Sequence, residues 1–211
     1  MNLNKFINIV RGLSLTSTER ITALFYELEH IRKNNIDGDL VECGVYRGGN
    51  ILGMMEYCYH FDINKRIWLY DTFSGMTDPT NLDVDIQNNQ ASQILSDVKC
   101  YSSLQEVQSN LQHSKYNRDL VSYVIGDVCE SLKDPNNIPN SISLLRLDTD
   151  WYESTLCELK ALYSKVSING SVIIDDYGHW LGCKRAVDEF FNNSQKLNKI
   201  DYTGVFFRKT E

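Results

Sequence analysis

Four aspartates, Asp148, Asp150, Asp175 and Asp176, stand where two apolar runs end, with no cluster of histidine or cysteine beside them. Such hard oxygen donors select Mg2+, Mn2+ or Ca2+ over zinc. A divalent ion of this kind holds a substrate hydroxyl and lowers its pKa as a Lewis acid. Asp148, Asp175 and Asp176 are the expected ligands, and Asp150, two positions past the first, is the expected general base. Asp150 suits equally well the N-cap of a helix starting at Trp151–Ser154, so residue type leaves both roles open. Adjacent Asp175 and Asp176 can share a site only if the chain turns there, since consecutive residues of a continuing strand face opposite ways. His179, in the turn Asp176-Tyr177-Gly178-His179-Trp180, ranks second as base or substrate contact, because a lone histidine is more often structural. Trp151, Tyr152 and Trp180 flank the acids and suit stacking on a sugar ring as well as core packing. Arg146, inside an apolar run, reads as the partner of a strand-end acid rather than a catalytic group.

A second constellation points to a cofactor. Glu42-Cys43-Gly44-Val45-Tyr46-Arg47-Gly48-Gly49 ends a short apolar run, and its glycines let a ligand approach the backbone. The pattern is not G-x-G-x-x-G and lacks the lysine of a phosphate loop, which disfavours dinucleotides and triphosphates. A sulfonium cofactor fits better: its positive charge tolerates Glu42, and Asp71 in Asp71-Thr72-Phe73-Ser74-Gly75 can accept both ribose hydroxyls. That segment is also good turn sequence in its own right. With Gly126-Asp127 closing a third run, every apolar run of the set ends in an acid, and massed like charge is costly unless cations or donors compensate it.

Bringing run ends together is what an open parallel sheet does, with ligands at the carboxyl ends of its strands. The runs Leu40–Cys43, Ile67–Tyr70, Val121–Ile125, Ile142–Leu147 and Val172–Ile174 read as buried strands, and Gly204–Phe207 as a final one. Apolar spacing predicts helices over Thr16–Asn34, with a capping box at Thr16-x-x-Glu19, after Gly49, over Tyr152–Val166 and around Ala186–Phe191. Strands alternating with helices imply an α/β fold whose parallel sheet is covered on both faces through right-handed crossovers. Residues 74–117 resist this scheme. They are polar and long, only Leu104, Val107 and Leu111 suggest a helix, and a flexible lid is expected.

The 211 residues read as one domain, 1–211, with an N-terminal helical segment over 1–36. Acidic residues outnumber basic ones 28 to 21 and no stretch concentrates Lys and Arg, which speaks against nucleic acid. The N-terminus lacks the apolar stretch of a secretory signal, and no run approaches the ~20 apolar residues that span a bilayer. A cytoplasmic protein with no membrane partner is expected. The six cysteines form no C-x-x-C pair and read as reduced, mostly buried thiols.

At the residues quoted, the sequence resembles the macrocin O-methyltransferase family, the sugar O-methyltransferases of macrolide and aminocoumarin biosynthesis. The likeness lies in Gly38–Gly49, Leu145–Thr155 and Val172–Gly178, continues through Ser103–Val107 and Ile200–Phe207, and covers most of Thr18–Arg208. It implies the class I methyltransferase fold, a Rossmann-like sheet of seven strands with the last antiparallel. It also implies Mg2+-dependent transfer from S-adenosyl-L-methionine to a sugar hydroxyl of a glycosylated natural product, nucleotide sugar or polysaccharide precursor, in an enzyme expected to be a homodimer. The resemblance supports metal ligation at Asp148, Asp175 and Asp176 and the base role at Asp150. The expected cofactor-binding set is Glu42, Gly44, Val45, Tyr46, Arg47, Gly49, Asp71, Thr72, Phe73, Gly126, Asp127 and Asp148. Cys43 and Tyr46 stand where relatives often have Thr and Trp, a difference expected to affect packing. The chain is short for the family before Thr16, so an N-terminal element that covers substrate or dimerises is expected to be missing. Two other readings compete: a nucleotide-sugar oxidoreductase on a similar fold, which the absent G-x-G-x-x-G disfavours, and a non-catalytic module that stores a cation.

Overall fold

A computed structural model describes residues 1–94 and 100–210. The apolar runs form β1 (Asp39–Cys43), β2 (Ile67–Asp71), β3 (Val121–Ile125), β4 (Ile142–Leu147), β5 (Val166–Ile174), β6 (Asn198–Lys199) and β7 (Val205–Arg208). They make one seven-stranded sheet in the order β3-β2-β1-β4-β5-β7-β6. The pairs from β3 across to β5 are parallel, while β7 runs antiparallel to both β5 and β6. The helices are α1 (Leu3–Arg11), α2 (Thr18–Lys33), α3 (Gly49–His60), α4 (Ala91–Ile94), α5 (Leu104–Leu111), α6 (Val128–Ser131), α7 (Tyr152–Leu162) and α8 (Leu181–Phe190).

Strand alternation divides the core in two. Leu40 and Leu144 face α1, α2 and α3 and pack with Phe6, Ile21 and Ile51, whereas Val41, Leu145 and Leu147 face α7 and α8 and pack with Leu159 and Val187. Each fully buried Leu or Ile contributes about 1.5–3 kcal/mol. Both faces are covered, which is why the central strands read as unbroken apolar runs.

Local chemistry shifts several boundaries. Ser17, not Thr16, caps α2, accepting from the Arg20 amide at 3.1 Å, while the Thr16 hydroxyl is drawn inward to Arg146 at 3.1 Å. The helix expected over Tyr152–Val166 stops at Leu162, because Val166 already opens β5, whose nine residues exceed the expected three. The two residues of β6 are too few to show a period.

The expected lid is tied down where it is described. Leu104, Val107 and Leu111 do carry a helix, α5, capped by Ser103. Residues 77–91 form a strap across α7 and α8. The Trp151 indole donates to the Thr77 carbonyl at 2.9 Å, Asp83 accepts from the Tyr152 amide at 2.8 Å, and the Leu181 amide donates to the Val84 carbonyl at 2.8 Å. Asp83 is fully buried against Gly182, where a Cβ would lie 2.1 Å from its Oδ1. The strap's aspartates are polar in sequence yet act as internal acceptors, so composition suggested a looser segment than the bonds show. The part of the expected lid at 95–99 lies outside the described residues. All six cysteines are free, and no helix among the described residues is long and apolar enough to cross a membrane.

Candidate active site

The carboxyl ends of β1, β2, β4 and β5 and the turn after β3 line one crevice, which contains Gly44, Asp71, Asp127, Asp148, Asp150, Asp175 and Asp176. Its backbone is unusual. Tyr46, Phe73 and Asp150, just past β1, β2 and β4, have left-handed φ of 49°, 52° and 69°. Such conformations cost about 1–3 kcal/mol each and concentrate at functional sites. Gly44 has φ 77°, and a Cβ there would come within 1.9 Å of the Asp148 carbonyl, so the two strand ends meet only because residue 44 has no side chain.

Asp71 holds the β1–α3 turn. Its Oδ2 accepts from the amides of Val45 at 2.8 Å and Tyr46 at 3.2 Å, and Oδ1 accepts from Phe73 at 2.8 Å. Burial raises the Asp71 pKa against those three amides and the Thr72 side chain. Asp127 caps α6 through the Cys129 amide at 2.8 Å while also lining the crevice beside Gly126.

Beneath the crevice lies a buried ionic network. Glu42 and Arg146 are register partners on β1 and β4 and share a face of the sheet. Arg146 is 1% exposed. Its Nη1 donates to Glu42 at 2.7 Å and Asp148 at 2.6 Å, and its Nη2 donates to Asp175. Arg20, from α2, binds the other oxygen of Asp175 and reaches Asp201 at 3.0 Å. Burial pushes the Glu42 carboxyl up to about 7, against the pull of Arg146.

Asp175, expected among the metal ligands, bonds both arginines and also lines the crevice. Its amide still donates to the Leu147 carbonyl at 2.9 Å, so the pleat continues through it and its side chain takes the Arg146 face. Asp148, Asp150 and Asp176 each offer an oxygen, all within 4.8 Å of one another. Burial, then the charge of Asp148, raises the Asp150 pKa; burial, then Asp150 and Asp148, raises that of Asp176. Asp150 does not cap α7: Trp151 occupies that position without a side-chain bond, and Asp83 receives the Tyr152 amide instead.

Other expected residues sit farther from the crevice. His179 lies outside its lining, with Nδ1 at 3.1 Å from the Tyr202 hydroxyl. Trp151 and Trp180 are buried and pack edge to face at 5.2 Å, which favours the core-packing role. Arg47 pairs with Glu106 at 2.7 Å, Gly49 packs against the Leu13 backbone, and buried Phe73 lies against Tyr123. Glu42 acts from below rather than in the lining, whereas Val45, Tyr46 and Thr72 do line it. Sequence reasoning missed Arg20, Ser14 and Thr16, which line the crevice from the N-terminal segment. The one available signal was Arg20 itself, a cation in the first turn of a helix, where the helix dipole favours acids.

Sheet order, glycine turn and strand-end acids together define a class I methyltransferase. The chain belongs to the Macrocin-O-methyltransferase (TylF) family, whose model matches residues 10–209, and it is an O-methyltransferase. It is 34% identical over 187 residues to demethyldecarbamoylnovobiocin O-methyltransferase of Streptomyces niveus, spanning 87% of this chain and 70% of that one. It is 31% identical over 205 residues to the 8-demethyl-8-(2,3-dimethoxy-alpha-L-rhamnosyl)-tetracenomycin-C 4'-O-methyltransferase of Streptomyces olivaceus, covering 93% and 76% of the two chains. The solved structure of the O-methyltransferase NovP superposes with a TM-score of 0.87 at 27% identity, covering 99% of this chain and 98% of that one. Family membership displaces the oxidoreductase reading.

Proposed function

We propose that this enzyme transfers the methyl group of S-adenosyl-L-methionine to a sugar hydroxyl, using a divalent cation, with a glycosylated natural product, nucleotide sugar or polysaccharide precursor as acceptor. The observation that carries the reading is the meeting, in one crevice, of the Gly44 turn with the Asp148, Asp150 and Asp176 trio. The names of the relatives, which methylate sugar-bearing natural products, support the acceptor class.

The trio fits a cation on its donor chemistry. It is all carboxylate, its oxygens crowd together, and like charge at close range is unfavourable without compensation. The buried arginines serve other acids: Arg20 is spent on Asp175 and Asp201, and Arg146 reaches only Asp148 of the three. Asp148, Asp150 and Asp176 would hold Mg2+, which supplies Lewis-acid activation of a hydroxyl. Asp175, also expected as a ligand, lies in the same crevice and pairs with Arg146 and Arg20.

The chain's own contribution is orientation and proton removal. The backbone around Gly44, with Asp71 and Asp127 in the same lining, would hold the cofactor. Asp150 would take the hydroxyl proton on the oxygen it does not give the cation, and S-adenosyl-L-methionine would supply the methyl group. Holding both reactants at near-attack distance, ~3 Å, is the main source of rate.

The test is a methyl-transfer screen across nucleotide sugars and glycosides with and without EDTA. Transfer that EDTA abolishes and Mg2+ restores is expected; transfer indifferent to EDTA would refute the metal role, and no uptake of S-adenosyl-L-methionine would refute the cofactor.

A further inference from the structure

Glu158 has no part in the chemistry described so far. It sits on α7, fully buried. Its Oε1 accepts from the Thr149 hydroxyl at 2.9 Å, while its Oε2 makes no close hydrogen bond and has the Cys43 thiol nearby. A carboxyl so poorly paired in the core is unfavourable beside an apolar side chain of the same shape.

Its partner is the residue between two of the carboxylates. Thr149 lines the crevice and is held on both sides: its side chain by Glu158, its carbonyl by the Trp151 amide at 2.8 Å and the Ser154 hydroxyl at 3.2 Å. Its methyl group lies 3.4 Å from where a Cβ on Gly44 would stand, so it also abuts the cofactor turn. The turn it anchors is the one that places Asp150 at φ 69°, a conformation that a free Asp-Thr-Asp segment would rarely keep.

We propose that Glu158 is a positioning residue: through its hydrogen bond to Thr149 it sets the spacing of Asp148 and Asp150, and so the affinity of the site for a divalent cation. The inference rests on the metal reading above. Outer contacts of this kind alter metal affinity by about 10–100-fold in other sites. Burial pushes the Glu158 carboxyl up to about 8, so the acid is protonated at neutral pH and glutamine is its close mimic.

The experiment measures Mn2+ binding by loss of the free-ion electron paramagnetic resonance signal, alongside the thermal midpoint of the metal-free protein. The variants are Glu158→Met, Glu158→Gln, Thr149→Val and Thr149→Ser. Glu158→Met and Thr149→Val are expected to weaken Mn2+ binding about tenfold or more. Glu158→Gln and Thr149→Ser, which keep the hydrogen bond, should stay within about threefold of the parent, a rescue that a packing defect would not show. The thermal midpoint of Glu158→Met should be no lower than that of the parent. Full Mn2+ affinity in Thr149→Val and Glu158→Met overturns the proposal, as does equal loss in the Gln and Ser variants. If the unaltered enzyme takes up no Mn2+, the metal reading itself fails and this proposal with it.

Discussion

Asp148 and Asp175 are both strand-end aspartates bonded to Arg146, yet their surroundings differ. Asp148 is open to the crevice, while Asp175 is 3% exposed between two arginines. Asp148→Asn is expected to abolish cation-dependent methyl transfer with the fold intact, read by turnover and by circular dichroism. Asp175→Asn should act first on stability, because it leaves Arg146 and Arg20 facing a neutral amide in the core. Removing one partner of a buried pair costs about 3–5 kcal/mol, which denaturant titration would resolve. Equal stability of the two variants would contradict the division of labour. Gly44→Ala forces a methyl group into the Asp148 carbonyl and a side chain onto a left-handed φ, so loss of cofactor binding by calorimetry is expected even where the protein still folds.

Among the elements, the strap over residues 77–91 and the N-terminal helix α2 matter most to the site. The strap replaces a helix cap: Asp83 receives the amide that would otherwise go unpaired at the start of α7, and Trp151 anchors the strap in return. Asp83→Ala should lose both interactions with α7 and Thr80, making amide exchange at 77–91 and at the first turn of α7 faster together; acceleration in the strap alone would show that the two are not coupled. In α2, Ser17 caps the helix and also donates to Asp201 at 2.6 Å, so Ser17→Ala should cost about 0.5–2 kcal/mol and loosen Arg20. Neither element was legible as functional. A strap whose polar residues bond inward looks like any polar loop, and an arginine on a helix carries no mark of the distant strand it will reach.

At the scale of the whole molecule, the buried carboxyls set how stability responds to pH. Glu158 has a folded pKa of about 8 against an ordinary value of 4.5, so the folded state holds a proton that the unfolded state gives up. Stability is therefore fully present below 4.5 and declines as pH rises toward 8, and Glu158→Gln should flatten that decline in metal-free denaturation curves. Glu29 acts in the opposite sense. Burial works to raise its pKa, but bonds from Tyr57, Lys33 and Arg32 bring it down to about 2, so its contribution is present above 4.5 and fades as pH falls toward 2. The expected curve for the parent protein has both an acid and an alkaline limb, and Glu158 shares the alkaline one with Glu42, Asp150 and Asp176, whose pKa values burial also raises.

The strand positions, the parallel sheet and the gathering of acids at one edge follow from the chain's own periodicity, because unbroken apolar runs separated by helices can bury both faces in few other ways. Read by themselves, the residues also marked the Gly44 turn and the acids that gather beside it. Which acids meet was decided only in three dimensions. A strand-end side chain points wherever the pleat leaves it, and whether the pleat ends at Ile174 or continues through Asp175 depends on the Leu147 carbonyl of the neighbouring strand. Once it continues, Asp175 meets Arg146 and Arg20, while Asp148, Asp150 and Asp176 bring their oxygens together beside it. Arg20 and Asp175 are 155 positions apart in the chain, a pairing that no local pattern encodes.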